Sequence, residues 1–135
     1  MVYSEADSLI IEKALICREK GNYKEALDKL HSLEMTYVND SVFNGIVATV
    51  YYKMKDFENS EKYFRIASIL NPQSELSSLA LFHCLFNQNK TLQGLHEILR
   101  FISSNKYELY KTTILELKSN FDSFNNQEKE VINKL

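Results

Sequence analysis

The side chains that most often carry chemistry in proteins are few and scattered in this chain. Its candidate metal ligands and nucleophiles are three histidines and two cysteines: His31, His83, His96, Cys17 and Cys84. No two histidines have the His-x-x-x-His spacing, and the neighbours His83 and Cys84 would point about 100° apart on a helix. Because a structural metal site needs about four converging ligands, the sequence predicts no metal site and no cofactor.

Nucleophilic catalysis is not indicated either. A catalytic cysteine needs a base within reach and an electropositive setting, whereas Cys17 and Cys84 lie in apolar helical patterns and are expected to be small core residues. No Gly-x-Ser-x-Gly, Gly-x-Gly-x-x-Gly or Gly-x-x-x-x-Gly-Lys motif occurs. We therefore predict that the protein is not an enzyme and has no small-molecule substrate. A small all-α hydrolase or transferase is the remote alternative.

The composition excludes some classes of binding partner and indicates the cellular compartment. The 135 residues are 44% hydrophobic and 25% charged, with a net charge of -2, which is typical of one globular domain. Neither half has an excess of Lys and Arg and no basic run occurs, so neither nucleic acid nor an anionic membrane is expected as a partner. Residues 1–7 lack the features of a signal peptide, and no apolar stretch approaches about 18 residues. These features predict a cytoplasmic protein with reduced cysteines.

A sequence pattern that repeats about every 34 residues runs along the chain. The pairs at this spacing match in character: Tyr23 with Phe57, Ala26 with Ser60, Leu30 with Phe64, and Leu33 with Ala67. Gly21, Lys55 and Asn89 have the same spacing, and each directly follows a helical pattern. Glycine and asparagine favour the left-handed backbone that commonly ends a helix. The spacing is typical of helix-turn-helix repeats, whose period is about 34 residues.

The predicted fold is all-α: an α–α superhelix of about three helix pairs and a C-terminal cap. The pairs span about residues 7–38, 41–72 and 75–106. The cap spans 107–135, and we expect its first helix to cover 107–124. Helix starts are expected at Ser4, at an Asn22–Glu25 capping box, at Asp56 and at Ser74. With a cap at both ends, residues 1–135 are expected to form one complete domain.

These residues resemble the tetratricopeptide repeat family. The small residue of its first helix is matched by Ala14 and Ala48, its turn by Gly21-Asn22-Tyr23 and Lys55-Asp56-Phe57, and its terminal proline by Pro72. The resemblance implies that the first helix of each pair lines a concave groove that binds another protein. It places these residues in the partner-binding groove: Arg18, Thr49, Tyr52, Lys53, His83, Phe86, Asn87 and Tyr110.

The predicted groove suits a folded surface or an amphipathic helix. Members of the family that bind a peptide carboxylate use Lys and Asn at positions that are Ile11 and Leu15 here. A carboxylate clamp is therefore not expected. Exposed aromatic side chains carry much of the energy at interfaces, and we expect Tyr52 to be the main binding anchor.

Two roles fit a small repeat protein that acts by occupying another protein. The segments Ser77–Phe86 and Leu95–Phe101 resemble parts of small bacterial repeat proteins that neutralise toxins, and the abundance of Asn, Lys and Ile is typical of an AT-rich bacterial genome. The favoured hypothesis is an immunity protein that binds and neutralises a cognate bacterial toxin. The alternatives are a secretion chaperone, for which the chain is short, and a general adaptor or scaffold.

Overall fold

The computed structural model describes residues 3–135, and the regular structure in that range is helical throughout. The α-helices are α1 (Glu5–Glu19), α2 (Tyr23–His31), α3 (Glu34–Tyr37), α4 (Ser41–Lys53), α5 (Phe57–Leu70), α6 (Glu75–Asn87), α7 (Thr91–Ser104), α8 (Tyr110–Ser119) and α9 (Asn126–Ile132). Helices α1 and α2, α4 and α5, and α6 and α7 pack as pairs, and α2 contacts α4 while α5 contacts α6. The predicted all-α, repeat-like fold is therefore confirmed.

The first helix of each pair ends in the same left-handed turn. Gly21, Lys55 and Asn89 have φ angles of 78°, 60° and 60°, as their spacing predicts. In each turn the next backbone N–H donates to a carbonyl five residues earlier: Asn22 to Cys17 at 2.9 Å, Asp56 to Tyr51 at 3.0 Å, and Lys90 to Leu85 at 2.9 Å. This is the hydrogen bond of a Schellman motif, and it recurs once in each helix pair.

Side-chain caps start most of these helices where the sequence predicts them. The side chains of Ser4, Asp56 and Ser74 each accept a hydrogen bond from the backbone N–H three residues later. The capping box predicted at Asn22 is wrong, because its side chain makes no capping bond. The backbone N–H of Asn22 donates to the Cys17 carbonyl in the left-handed turn, so it is not free for the bond to Glu25 that a capping box requires.

The short helix α3 brings one aromatic ring back into the core. Tyr37 at its end is buried, its ring lies edge-on to Tyr3 and next to Phe43, and its hydroxyl donates to the carboxylate of Asp7. This contact fastens the start of α1 to the junction between the first two pairs.

The C-terminal cap is more broken than predicted. The single helix expected over 107–124 is instead α8 followed by a 3-10 turn at Phe121–Ser123. Helix α8 starts late because the Glu75 carboxylate accepts hydrogen bonds from the backbone N–H groups of Glu108 at 3.0 Å and Tyr110 at 2.8 Å. Helix α9 packs against α7 and begins with a capping box formed by Asn125 and Glu128.

Two buried clusters form the hydrophobic core. The first spans α1 to α6, and the second joins α6 and α7 to α8 and α9 through residues such as Phe82, Ile98, Ile114 and Ile132. The last pair therefore buries its outer face under the cap. In residues 3–135, no helix combines the length and the apolar character that crossing a membrane requires.

Replacing Lys55 by glycine should stabilise the protein by about 0.5–1 kcal/mol. The left-handed conformation costs a non-glycine residue about 1–2 kcal/mol, and the added freedom of the unfolded chain offsets about 0.4–1 kcal/mol of that gain. Thermal unfolding should show a Tm higher by a few degrees. Lys20→Gly is the matched control, because Lys20 has a right-handed φ of -83° and should gain nothing. An equal gain in both variants, or no gain in Lys55→Gly, would contradict the strain at Lys55.

Replacing Glu75 by glutamine should destabilise the protein by about 1 kcal/mol. Burial disfavours the ionised Glu75, but the backbone N–H groups of residues 108–110 outweigh burial and lower its pKa. A lowered pKa gives stability that is present above the ordinary value of about 4.3 and is lost as the pH falls through the folded value. The difference in the free energy of unfolding between Glu75→Gln and wild type, measured with urea, should therefore become smaller in acid. Glu108→Gln, at an exposed side chain, should change little at either pH.

Candidate protein-binding groove

The first helices of the three pairs form the walls of an open groove. One cavity of about 360 Å³ lies between α1, α4 and α6, and it is lined by Arg18, Thr49, Tyr52, Lys53, Phe64, Leu76, Leu79, Ala80 and His83. A second cavity of about 360 Å³ continues toward the N-terminal ends of α4 and α6 and shares Thr49, Phe64, Leu76 and Ala80 with the first. We call the two together the central groove.

Most of the predicted groove residues lie at or next to this surface. Arg18, Thr49, Tyr52, Lys53 and His83 line the first cavity. The structure thus brings together side chains from three helices that belong to three different pairs and are far apart in the sequence.

Two further predicted residues lie beyond the central groove, toward the cap. Phe86 and His83 line a neighbouring cavity of about 210 Å³ between α6 and α8. Asn87 is at the end of α6, and its side-chain amide donates to the His83 carbonyl at 2.7 Å. Burial lowers the pKa of His83, against the opposing charge of Glu116.

Tyr110 does not belong to the groove, and its assignment there is corrected. Its side chain is fully buried, packs near the rings of Phe82 and Phe101, and shares a 2.7 Å hydrogen bond with the hydroxyl of Ser78. The reason is the late start of α8, which turns the first residue of that helix into the core. Burial raises the pKa of Tyr110, so the hydroxyl stays protonated.

One end of the central groove is positively charged. Arg18 donates to Thr49 Oγ1 at 2.7 Å and pairs with Glu19 at 2.9 Å, and Lys53 lies 3.5 Å from the same carboxylate. The hydrogen bond from Arg18 and the charge of Lys53 lower the pKa of Glu19. Glu19 does not itself line the groove, so the lining formed by the described part of the chain contains Arg18 and Lys53 but no carboxylate.

The rest of the groove is apolar and partly exposed. Leu76 and Val42 are 70% and 60% exposed although they face the groove. Tyr52 is half-buried, with its ring held edge-on to Phe57 at 5.3 Å. Burial raises the pKa of Tyr52. A large ring fixed on one side and open on the other is well placed to contact a partner.

Sequence reasoning missed several lining residues. Leu76 and Ala80 of α6 and Phe64 of α5 line both cavities, and Gly45 lines the second. Phe64 falls on the inner face of its helix by periodicity and reaches the groove through the gap between α4 and α6. The one available signal was Gly45, a glycine inside an apolar helical pattern.

Neither cysteine is placed for catalysis. Cys17 and Cys84 are buried, and burial raises the pKa of the Cys84 thiol to about 11. Its sulfur lies 3.3 Å from the hydroxyl of Ser60, which itself donates to the Ala48 carbonyl at 2.8 Å. Among residues 3–135, no three His, Cys, Asp or Glu side chains converge as metal ligands would.

Comparison with known proteins identifies no family for this chain. No protein-family model matches the chain, and a search of the curated proteins found no match. The resemblance to tetratricopeptide repeats thus rests on the residues quoted above. The recurrent left-handed turns are consistent with it.

Both cysteines should resist thiol reagents in the native state. Each is buried, and at Cys84 the raised pKa also leaves little of the reactive thiolate at neutral pH. We expect a colorimetric disulfide reagent to label less than about one thiol per molecule within minutes in buffer. In denaturant it should label both thiols immediately. Rapid labelling of the native protein would contradict the burial described here.

Proposed function

We propose that this protein is a binding module that holds a segment of another protein in its central groove. The observation that carries the proposal is the pair of exposed apolar side chains, Leu76 and Val42, that line an open cavity. Exposed apolar surface inside a concave site is costly in water and marks a place where a partner removes it from solvent.

The chemistry of the groove favours a protein partner over a small charged ligand. Ile11 is buried and Leu15 half-buried on the first wall, so that wall offers no polar group at either position for a peptide carboxylate. The charged groups of the groove are concentrated at one end, around Arg18 and Lys53. Such a surface can orient an apolar protein partner, but it does not provide the converging charged groups that a small charged ligand needs. We propose a role without catalysis and without a cofactor.

For the biological role we propose toxin neutralisation by an immunity protein of the tetratricopeptide repeat type. The segments that resemble such proteins form most of α6 and the middle of α7. The cap also supports this role over that of a secretion chaperone, because α9 covers α7, where a further pair would stack, and so limits the groove to three pairs. A general adaptor is the remaining alternative.

Replacing Leu76 by glutamate should strongly weaken groove binding without unfolding the protein. The test is titration calorimetry with the toxin candidate encoded beside this gene. A carboxylate that loses water without a partner should weaken binding about tenfold or more. Leu115→Glu is the matched control, because Leu115 on α8 is also 70% exposed but lines none of the cavities described above. Equal affinities of the two variants would exclude the central groove as the binding site.

A growth assay separates the biological role from the binding site. Cells that express the toxin candidate should stop growing, recover with the wild-type protein or Leu115→Glu, and fail with Leu76→Glu. Full growth without this protein would exclude neutralisation of that toxin. Groove-dependent binding to it would then still support a binding module.

A further inference from the structure

Gly45 is a glycine that the fold does not need. It is the fifth residue of α4, and glycine inside a helix is less stable than alanine. Gly21, by contrast, has a φ of 78°, which only glycine adopts easily. At Gly94 an added Cβ would lie 3.1 Å from Phe86 and 3.3 Å from Phe82, so close packing explains that glycine.

Neither reason applies at Gly45. Its φ is not positive, and a Cβ built there meets nothing within 4 Å in the described part of the chain. The residues at the same place in the pairs before and after it are Ile11, which is buried, and Leu79, which is half-buried. The middle pair alone therefore lacks a large side chain at this position, and Gly45 leaves a notch in the wall of the central groove.

The groove on both sides of the notch follows the helix axes. Val42, Gly45 and Thr49 form one stripe along α4, and Leu76 and Ala80 form a second along α6. From Ser41 to Lys53 the stripe on α4 is about 18 Å long at about 1.5 Å per residue. That length matches about three turns of a helix lying between α4 and α6.

The charges set the direction of such a helix. Arg18 and Lys53 lie at one end of the groove and share one carboxylate, that of Glu19. The opposite end is lined by uncharged Ser41, Asn71 and Ser74. Complementary charge on the partner is therefore negative and lies near Lys53, about eight residues along α4 from Gly45.

Building on the proposed function, we propose that the groove holds an amphipathic α-helix of the partner protein. One large apolar side chain of that helix, Leu or Phe, inserts into the notch at Gly45. An Asp or Glu seven or eight residues away along the same face lies beside Arg18 and Lys53. A partner side chain that packs against Gly45 can approach the α4 backbone more closely than one that packs against a larger residue. Gly45 therefore selects for a large side chain on the partner.

The probe is a phage-displayed library of alanine-based helical peptides about four turns long, randomised on one face and selected against the wild-type protein. We expect enriched peptides to pair a Leu or Phe with an acidic residue seven or eight positions away. Synthetic winners are then measured by fluorescence polarisation. Gly45→Leu should weaken them about tenfold or more by filling the notch. Lys53→Gln should weaken them only while the peptide keeps its acidic residue.

Thermal unfolding tests whether these losses reflect damage to the fold, and free Gly45→Leu and Lys53→Gln should unfold at or above the wild-type Tm. Gly45→Ala should raise Tm by a few degrees, because the new methyl group meets open space. Gly94→Ala is the control and should not share that gain, because its methyl group presses on Phe86 and Phe82. A lower Tm for Gly45→Ala would show that the fold needs this glycine and would overturn the inference.

The outcomes separate this inference from the proposed function. Peptides that are sensitive to Leu76→Glu but bind Gly45→Leu equally well would overturn the helix with its inserted side chain and keep the groove. Enriched peptides rich in proline, or a library without any Leu76-dependent binder, would also overturn it. If Leu76→Glu binds the toxin as tightly as wild type, the central groove is instead excluded as the binding site.

Discussion

The left-handed turn that ends α1, α4 and α6 is the constraint on which the rest of the structure depends. A Schellman hydrogen bond at each turn fixes how the second helix of a pair leaves the first, and the same bond recurs at Asn22, Asp56 and Lys90. Because the three turns are alike, the first helices of the pairs come to lie side by side. The central groove is the surface that they form together. A single turn built differently would tilt one wall away from the others.

The pairs depend on one another because none buries its apolar side alone. The core of the first two pairs includes Leu81 and Leu85 from the third, and the third pair is completed by Ile114 and Ile132 of the cap. Polar ties also hold the helices in place. Ser60 donates to a carbonyl of α4, and the Glu75 carboxylate holds the start of α8. The walls of the groove are therefore held by contacts behind it, which allows the groove surface itself to vary without loss of the fold.

The sequence predicted the features that depend on local chemistry and missed those that depend on distant partners. The positive φ at Lys55 and Asn89 follows from spacing alone, and the caps at Ser4, Asp56 and Ser74 follow from residue type. Tyr110 was misplaced because its orientation depends on Glu75, which lies far away in the sequence, caps α8 and delays its start. Periodicity placed Leu76 on a helix, but its high exposure depends on where α4 lies. The unfilled space at Gly45 is visible only once both walls are in place.

The distribution of charges supports the proposal that a partner binds on the concave side. Outside the groove, the side chain of Glu61 accepts from Arg65, Gln88 and Lys90, and Glu97 pairs with Arg100. These two carboxylates are only 14% and 10% exposed, so a partner docking there would have to break partly buried contacts that are already satisfied. In the groove, burial of Leu76 and Val42 has no such competing contacts to break. This contrast supports the proposed binding on the concave side, where Arg18 and Lys53 would add direction more than affinity.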